Sequence, residues 1–334
     1  MNRSAMRALI FDGPAADTSR STISEIPVPT PGTSQITIDV EYAGVNFKDV
    51  MSRRGDPGYV DSWPYVPGLE VAGRVLALGN GVQGFRVGDR VLALTNAGGL
   101  AEVALAEAQL TAAVPHGVDL ADAAMVPGVL TTAELLLYDL ARVRTGDAIV
   151  VHSASGAVGA AIAQLSRLHG EIDLIGAVGA ANRAEAAERV GYKTVVVRGP
   201  GLADHVRRHR DGRGVDVVLD SQGTRWLEED LRMLAPTGRI ILFGNAAGDG
   251  LDPLPPTGAL FGANASVGGF SLAALSSADP QRVAAAMSRV LRHLAEGALT
   301  LDPTVVTGLA AAIEAQERLA TGTGAGKYVV RVAG

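Results

Sequence analysis

Between Val150 and Leu165 the chain reads VVHSASGAVGAAIAQL, a β-rich stretch, a run of small residues, then apolar residues at helical spacing. A turn of this kind can cradle an anion, because the first N–H groups of a helix lack intrahelical partners and sit at the positive end of its dipole. It can also simply let a helix lie close to a sheet. Ala154-Ser155-Gly156-Ala157-Val158-Gly159 matches the dinucleotide-binding pattern with alanine at the first glycine position. In that reading Gly156 lets the backbone approach a pyrophosphate and Gly159 lets helix and strand pack closely. Chains that bind a free ribose carry Asp or Glu about twenty residues further on. Here LIGAVGAANRAE has no carboxylate from Gly176 to Ala184, and Arg183 stands where it could pair with a 2′-phosphate. The alternative is that Arg183 is a surface residue in the first turn of a helix, an electrostatically poor place for a cation.

Other chemistries are excluded or disfavoured by residue type. The chain has no cysteine, so disulfides, thiolate nucleophiles and cysteine-ligated zinc are ruled out. Its six histidines are scattered, and none forms the short-spaced pair expected of a ligand set. The net charge of −6 disfavours nucleic acid. The dense basic run HVRRHRDGR, His205 to Arg213, reads as a solvated helix C-terminus favoured by the helix dipole, with a nucleic-acid patch as the alternative. MNRSAMRALIFDG lacks the apolar core of a signal peptide, and no apolar run is expected to reach the roughly 18 residues of a membrane span. A cytoplasmic protein is the expectation.

At 334 residues, 47% hydrophobic and 19% charged, the chain can bury a sizeable core divided between two domains. RALIFDG, QITIDVEYAGV, EVAGRVLALG, GDRVLALT and AEVAL are short alternating or β-branched runs punctuated by glycine and proline, and predict an antiparallel β domain. The pattern changes near residue 125. AIVVHSA, DLIGAV, TVVVRG, VDVVLDS and RIILFG are apolar throughout and separated by helix-length segments, which predicts a parallel sheet covered on both faces. ASVGGFSL, a helix across Val283 to Leu294, another around Leu309 to Leu319 and the strand KYVVRV close the chain.

GVNFKDVMSRRG, PYVPGLEVAGRVLALGNGVQGFRVGDRVLAL, HSASGAVGAAIAQL, LIGAVGAANRAE, DSQG and FGNAAG occur in this order. Together they make nearly the whole chain resemble the zinc-independent medium-chain dehydrogenase/reductases, in their quinone oxidoreductase branch. The resemblance implies an α/β fold, a Rossmann doubly wound parallel sheet plus a GroES-like antiparallel β domain. The expected boundaries are 1–125 for the first part of the GroES-like domain, 126–264 for the Rossmann domain and 265–334 for the return. It implies NADPH as cofactor, held in the cleft, and a homodimer without nucleic-acid or membrane partners. Zinc-bearing relatives place a cysteine where this chain has Asn46 and a histidine where it has Leu69, so no metal is expected.

The resemblance also implies residue roles. Asn46, with Phe47 beside it, lines the nicotinamide side and orients the ring or the acceptor; the alternative is an asparagine bonding its own backbone in a turn. Lys48 and Asp49 could assist protonation, although Asp49 and Arg53 could equally form a surface pair. Tyr59 corresponds approximately to a tyrosine over the active site, with Tyr65 as a rival and packing against Trp63 as the alternative for either. Cofactor contacts are implied for Thr132, Ser155, Gly156, Ala157, Val158, Gly159, Gly179, Arg183, Ser221, Phe243, Gly244, Asn245, Gly269, Phe270 and Lys327. Arg198 stands where a tyrosine often stacks on adenine and could itself stack or approach the 2′-phosphate. The implied activity is hydride transfer to a quinone or an α,β-unsaturated carbonyl compound. The alternatives are an enoyl reductase acting on acyl thioesters in polyketide or other biosynthesis, and an NADPH-retaining RNA-binding or structural protein.

Overall fold

The computed structural model describes residues 4–324 and 326–332, apart from the His169 side chain. The chain forms two compact units, a continuous one, Thr132–Leu272, and one built from Met1–Thr131 and Ala273–Gly334.

The continuous unit holds a six-stranded sheet. Its strands in chain order are Ala148–His152, Asp173–Val178, Thr194–Val197, Val215–Asp220, Leu234–Leu242 and Ser266–Gly269. They lie side by side in the order third, second, first, fourth, fifth, sixth, every pair parallel. That is the Rossmann order, whose reversal point beside the first strand is where dinucleotides bind. Ala148–His152 is buried at every position, as expected of a strand covered on both faces. Ser266–Gly269 adds to Leu234–Leu242, so the sheet continues past the expected boundary at 264. Its short, glycine-rich sequence had concealed it as a sheet member. Leu202–His209 ends in Arg207, Arg208 and His209, three cationic or titratable groups at the negative pole of the helix.

The other unit has a sheet ordered Thr304–Thr307, Tyr328–Arg331, Gln35–Val45, Glu70–Leu78, Arg90–Leu94 and Thr111–Ala113, with Val103–Glu107 also paired to Gln35–Val45. All neighbours are antiparallel except Thr304–Thr307, which runs parallel to Tyr328–Arg331. Leu9, Phe11, Ile36, Ile38, Val71, Leu100 and Val330 pack its core. The pairing of Tyr328 with Val45 brings the end of the chain beside the start of the helix Phe47–Arg54. That helix begins where the strand ends: Asn46 adopts extended backbone as the cap, and Asp49 at the third helical position accepts from the Asn46 N–H at 2.8 Å. It stops at Gly55, whose φ of 74° suits glycine.

One helical run, Leu120–Leu140, is long and apolar enough to cross a membrane by composition, contrary to the expectation that none would be. In its most apolar 18-residue stretch 89% of the residues are buried within the protein, which accounts for the apolar character of a core helix. The run is interrupted by a π turn at Val126–Leu130, closed by the Thr131 hydroxyl donating to the Val126 carbonyl at 2.8 Å.

Candidate active site

Asn46 lies in a buried polar network. Its side-chain nitrogen donates to the Glu70 carboxylate at 3.0 Å and to the Gly44 carbonyl at 3.3 Å, and its side-chain oxygen accepts from the Lys327 ammonium at 2.7 Å. Glu70 has no exposed surface, and its second oxygen accepts from the Gly128 N–H at 2.6 Å within the π turn. A Cβ on Gly44 or Gly128 would come within 2.3 or 2.7 Å of that carboxylate, so both sites require glycine. Glu70 was not singled out from the sequence. Its one signal was a carboxylate opening the largely apolar run EVAGRVLAL.

Lys327 corrects an expectation. Its ammonium donates to the Val45 carbonyl at 3.0 Å, to Asn46 at 2.7 Å and to Glu70 at 2.5 Å, and it is 3% exposed. Three N–H groups meet three acceptors, which leaves none for a cofactor. The proposed surface pair of Asp49 and Arg53 is also overturned, because both are buried. Asp49 accepts from the Gly68 N–H at 3.1 Å as well as from Asn46, while Arg53 pairs with Glu317 at 3.1 Å and donates to the Ala16 carbonyl at 3.0 Å. Burial pushes the Asp49 carboxyl up, and its two N–H donors, Lys48 and Lys327 oppose that rise.

Lys48 points elsewhere, donating to the Asn96 carbonyl; Asn96 in turn donates to the Ser276 hydroxyl at 2.9 Å. Phe47 lies under the Arg54 guanidinium, 5.8 Å from ring centre to cation. Tyr59 follows Gly58, whose φ is 83°, in a turn where its N–H donates to the Asp56 carbonyl at 3.2 Å. Tyr65 is the residue that packs on Trp63, at 6.3 Å between ring centres, and on Phe11 at 6.4 Å. Burial raises both tyrosine hydroxyls above their usual range.

In the continuous unit the small-residue turn joins the first strand to the helix Ala157–Ser166, with Gly156 as its cap. A Cβ on Gly159 would lie 2.5 Å from the Ala154 carbonyl oxygen, so this glycine sets the close approach of helix and turn. Gly156 is more open, with the Ser153 carbonyl at 3.2 Å as its nearest neighbour. Ser155, Ala157 and Val158 complete the turn, which presents unpaired helix N–H groups. Ser153, not singled out from sequence, has a φ of 58° and gathers several groups. Its hydroxyl lies 3.0 Å from that of Ser221 and accepts from Gln222 at 2.8 Å and from Arg198 at 3.3 Å. A Cβ on Gly179 would strike the Arg198 guanidinium at 2.9 Å. Arg198 and Arg183 form no ion pair among the described residues; Arg198 reaches the Ser153 hydroxyl within the field of Asp220 and Asp230, and Arg183 ends the short helical turn Ala181–Arg183.

Apart from Thr132, the remaining expected residues in this unit lie at the carboxyl ends of neighbouring strands. Phe243 donates its N–H to the Asp220 carbonyl at 2.8 Å, Gly244 lies over the Ser221 carbonyl, and Asn245 bridges to Gln222. Gly269 ends the sixth strand, and the Phe270 N–H donates to the Leu242 carbonyl at 2.8 Å. Thr132 stands in the helical turn Thr131–Glu134. Beneath the Ser153 cluster lies a fully buried triad. His152 Nε2 is 2.9 Å from Asp230, and its Nδ1 is 3.9 Å from Asp220, which accepts from the Gln222 N–H at 2.7 Å. Burial pushes the Asp220 carboxyl up to about 7. Burial alone would lower the His152 imidazole, but Asp230 and Asp220 outweigh it and hold it above its usual range.

The comparisons with known proteins agree with this architecture. Residues 32–116 match the alcohol dehydrogenase GroES-like domain, and residues 157–292 match the zinc-binding dehydrogenase domain. The quinone oxidoreductase of Rattus norvegicus is 33% identical over 242 residues, covering 72% of each chain. The chain belongs to the medium-chain dehydrogenase/reductases, in the quinone oxidoreductase branch. A mycobacterial member of known structure, complexed with NADPH, is 29% identical and superposes with a TM-score of 0.88 over 97% of this chain and 99% of that one. A reducing polyketide synthase of Cochliobolus heterostrophus is 32% identical over 80% of this chain, which spans 10% of that protein. The second domain's description names zinc, yet at Asn46 and Leu69, where the zinc-bearing relatives carry ligands, the donors do not fit that ion. There is no thiol, Asn46 has spent its amide on Glu70, Gly44 and Lys327, and Leu69 is apolar and buried.

Proposed function

We propose that the chain is an NADPH-dependent reductase of quinones or α,β-unsaturated carbonyl compounds that works without zinc. NADPH supplies the hydride. The turn at Gly156 and the N-terminus of Ala157–Ser166 hold its pyrophosphate, and Arg183 and Arg198 take the 2′-phosphate. Asn46 is held in one rotamer by Glu70 and Gly44 on its nitrogen and Lys327 on its oxygen, and with one acceptor lone pair left on that oxygen it orients the nicotinamide ring. The observation that carries the reading is the small-residue turn at Gly156 and Gly159 at the reversal point of the parallel sheet, and a rigid neutral amide at Asn46 in the other unit supports it. The decisive experiment follows NADPH oxidation with a panel of quinones, cyclic enones, alkenals and enoyl thioesters. Turnover of quinones or enones supports the proposal; absence of turnover with all of them defeats it. The similarity to a polyketide synthase favours a second reading, reduction of enoyl thioesters, which exclusive turnover of that class would establish.

A further inference from the structure

The continuous unit buries a polar cluster that the proposed reduction does not use. His152 ends the first strand and Asp220 ends the fourth, and the parallel register that pairs Val151 with Leu219 brings these next two residues side by side. Asp230, on the helix Leu227–Met233, closes the cluster. Their exposures are 1%, 0% and 0%. One donor atom from each lies within 4.8 Å of the other two.

The hydrogen bonds of the cluster leave three acceptors over. His152 Nε2 lies 2.9 Å from Asp230 Oδ1, and a carboxylate at that nitrogen keeps the ring proton there, which opens the Nδ1 lone pair. The Gln222 N–H takes Asp220 Oδ1 at 2.7 Å. Nδ1 of His152 and the Oδ2 atoms of Asp220 and Asp230 are buried without a hydrogen-bond partner. Among the described residues no arginine or lysine pairs with either carboxylate; Arg198, whose charge they feel, donates to the Ser153 hydroxyl instead. With the imidazole neutral, two negative charges lie away from water, which is costly unless a cation joins them. Nδ1 stands 3.9 Å from the Asp220 carboxylate. That is too long for an N–H···O hydrogen bond, whereas two donors each about 2.0–2.2 Å from one metal ion can stand up to about 4 Å apart.

We infer that His152 Nδ1, Asp220 and Asp230 hold one divalent transition-metal ion of the zinc class, as a structural site beneath Ser153 and Ser221. Two carboxylates and a neutral imidazole balance its double charge. Mixed nitrogen and oxygen donors suit zinc better than calcium or magnesium, which take six or more oxygen ligands. A water fills the fourth position. The Nε2–H bond to Asp230 is the outer support that metal-bound imidazoles generally have. The ion ties the ends of two strands to a helix and takes no part in hydride transfer, so the reduction proposed above stays metal-free at Asn46. In chelated protein the same groups carry protons, so metal uptake releases protons and tightens as pH rises.

The test uses the full chain, exhaustively chelated and then titrated with zinc, with elemental analysis of the washed protein and urea unfolding at fixed free zinc. The expected result is one zinc per chain. At free zinc one hundred times the dissociation constant, the folded-to-unfolded ratio should rise about a hundredfold. Urea opens the cluster at equilibrium, so slow entry into a closed core does not hide the effect. Asp220→Asn and Asp230→Asn preserve side-chain shape and should each abolish the stabilisation by zinc while their metal-free unfolding stays cooperative. Exposed histidines such as His205 and His209 also take zinc, but both variants retain them. Where a variant fails to fold, cobalt(II) in the wild type decides: a buried four-coordinate site gives intense visible bands, and six-coordinate surface sites give weak ones. Weak bands, zinc stabilisation undiminished in both variants, or a wild type that zinc does not stabilise would overturn the site and leave a cluster neutralised by protons alone. No measurement here depends on turnover, so failure of this site and failure of the reductase reading are separate results.

Discussion

Glu70 is a carboxylate without exposed surface on which an ammonium, an amide and a backbone N–H converge, and Asn46 gets its orientation from that convergence. Removing the amide should therefore act on turnover and on stability together. Asn46→Ala leaves Glu70 and Lys327 each one partner short, which costs about 1–3 kcal/mol. It should lower turnover by at least tenfold while the dissociation constant for NADPH, which the proposed function assigns to phosphate contacts in the other unit, changes little. Steady-state rates, fluorescence titration and urea unfolding separate the three effects. The arginines make a sharper test of cofactor choice. A charge-assisted contact is worth about 1.5–3 kcal/mol, hence roughly 10- to 150-fold in binding. Arg183→Ala and Arg198→Ala should each weaken NADPH by such a factor and NADH barely, because NADH carries no 2′-phosphate. If one variant keeps the full preference, the 2′-phosphate contact belongs to the other arginine.

At the scale of elements, the site depends on a π turn, a helix start and a closing strand being brought to one carboxylate. Gly128→Ala forces a methyl to within about 2.7 Å of the Glu70 oxygen and should destabilise by about 1–3 kcal/mol, read by urea unfolding. Lys327→Met leaves a buried carboxylate without its counter-ion, a loss of about 3–5 kcal/mol, and adding Glu70→Gln should recover part of it. If the double variant is no more stable than Lys327→Met alone, the charge pair is not what Lys327 supplies. Much of the fold was legible in the sequence because its signals are local: VVHSASGAVG carries an apolar strand, a small-residue turn and a helix start within a few residues. Glu70 and Lys327 were not legible as partners, since they are 257 residues apart and neither alters the periodicity of its own strand. Ser153 escaped for another reason. Its left-handed backbone is imposed by the turn around it, and serine has no sequence bias toward that conformation. Lys48 and Asp49 are adjacent in sequence, yet whether they faced water or the interior depended on Gly68 and Asn96, which belong to other segments.

For the molecule as a whole, the buried triad makes stability depend on pH. Asp220 binds its proton up to about pH 7 when folded but only to about pH 4 when unfolded, so its contribution falls as pH rises between those values. His152 is held above its usual range, so its contribution is complete below about pH 6.5 and is lost as pH rises through the higher folded value. Both act in one direction. Wild type should lose more stability between pH 5.5 and 8.0 than Asp220→Asn does, measured as the urea midpoint at each pH; equal losses would remove the triad from the explanation. The closing strand has a consequence of a different kind, for the order of events during synthesis. The continuous unit has all its strands once Leu272 has emerged, whereas Tyr328–Arg331 must return to Gln35–Val45 across almost the whole chain. At about 5–20 residues per second, Lys327 follows Leu272 by roughly three to eleven seconds. During that interval the nascent chain has its nucleotide-binding turn, while Glu70 still awaits its counter-charge. A chain interrupted there could hold a dinucleotide but would lack the lysine that fixes Asn46, so cofactor binding by itself would be a poor marker of a finished enzyme.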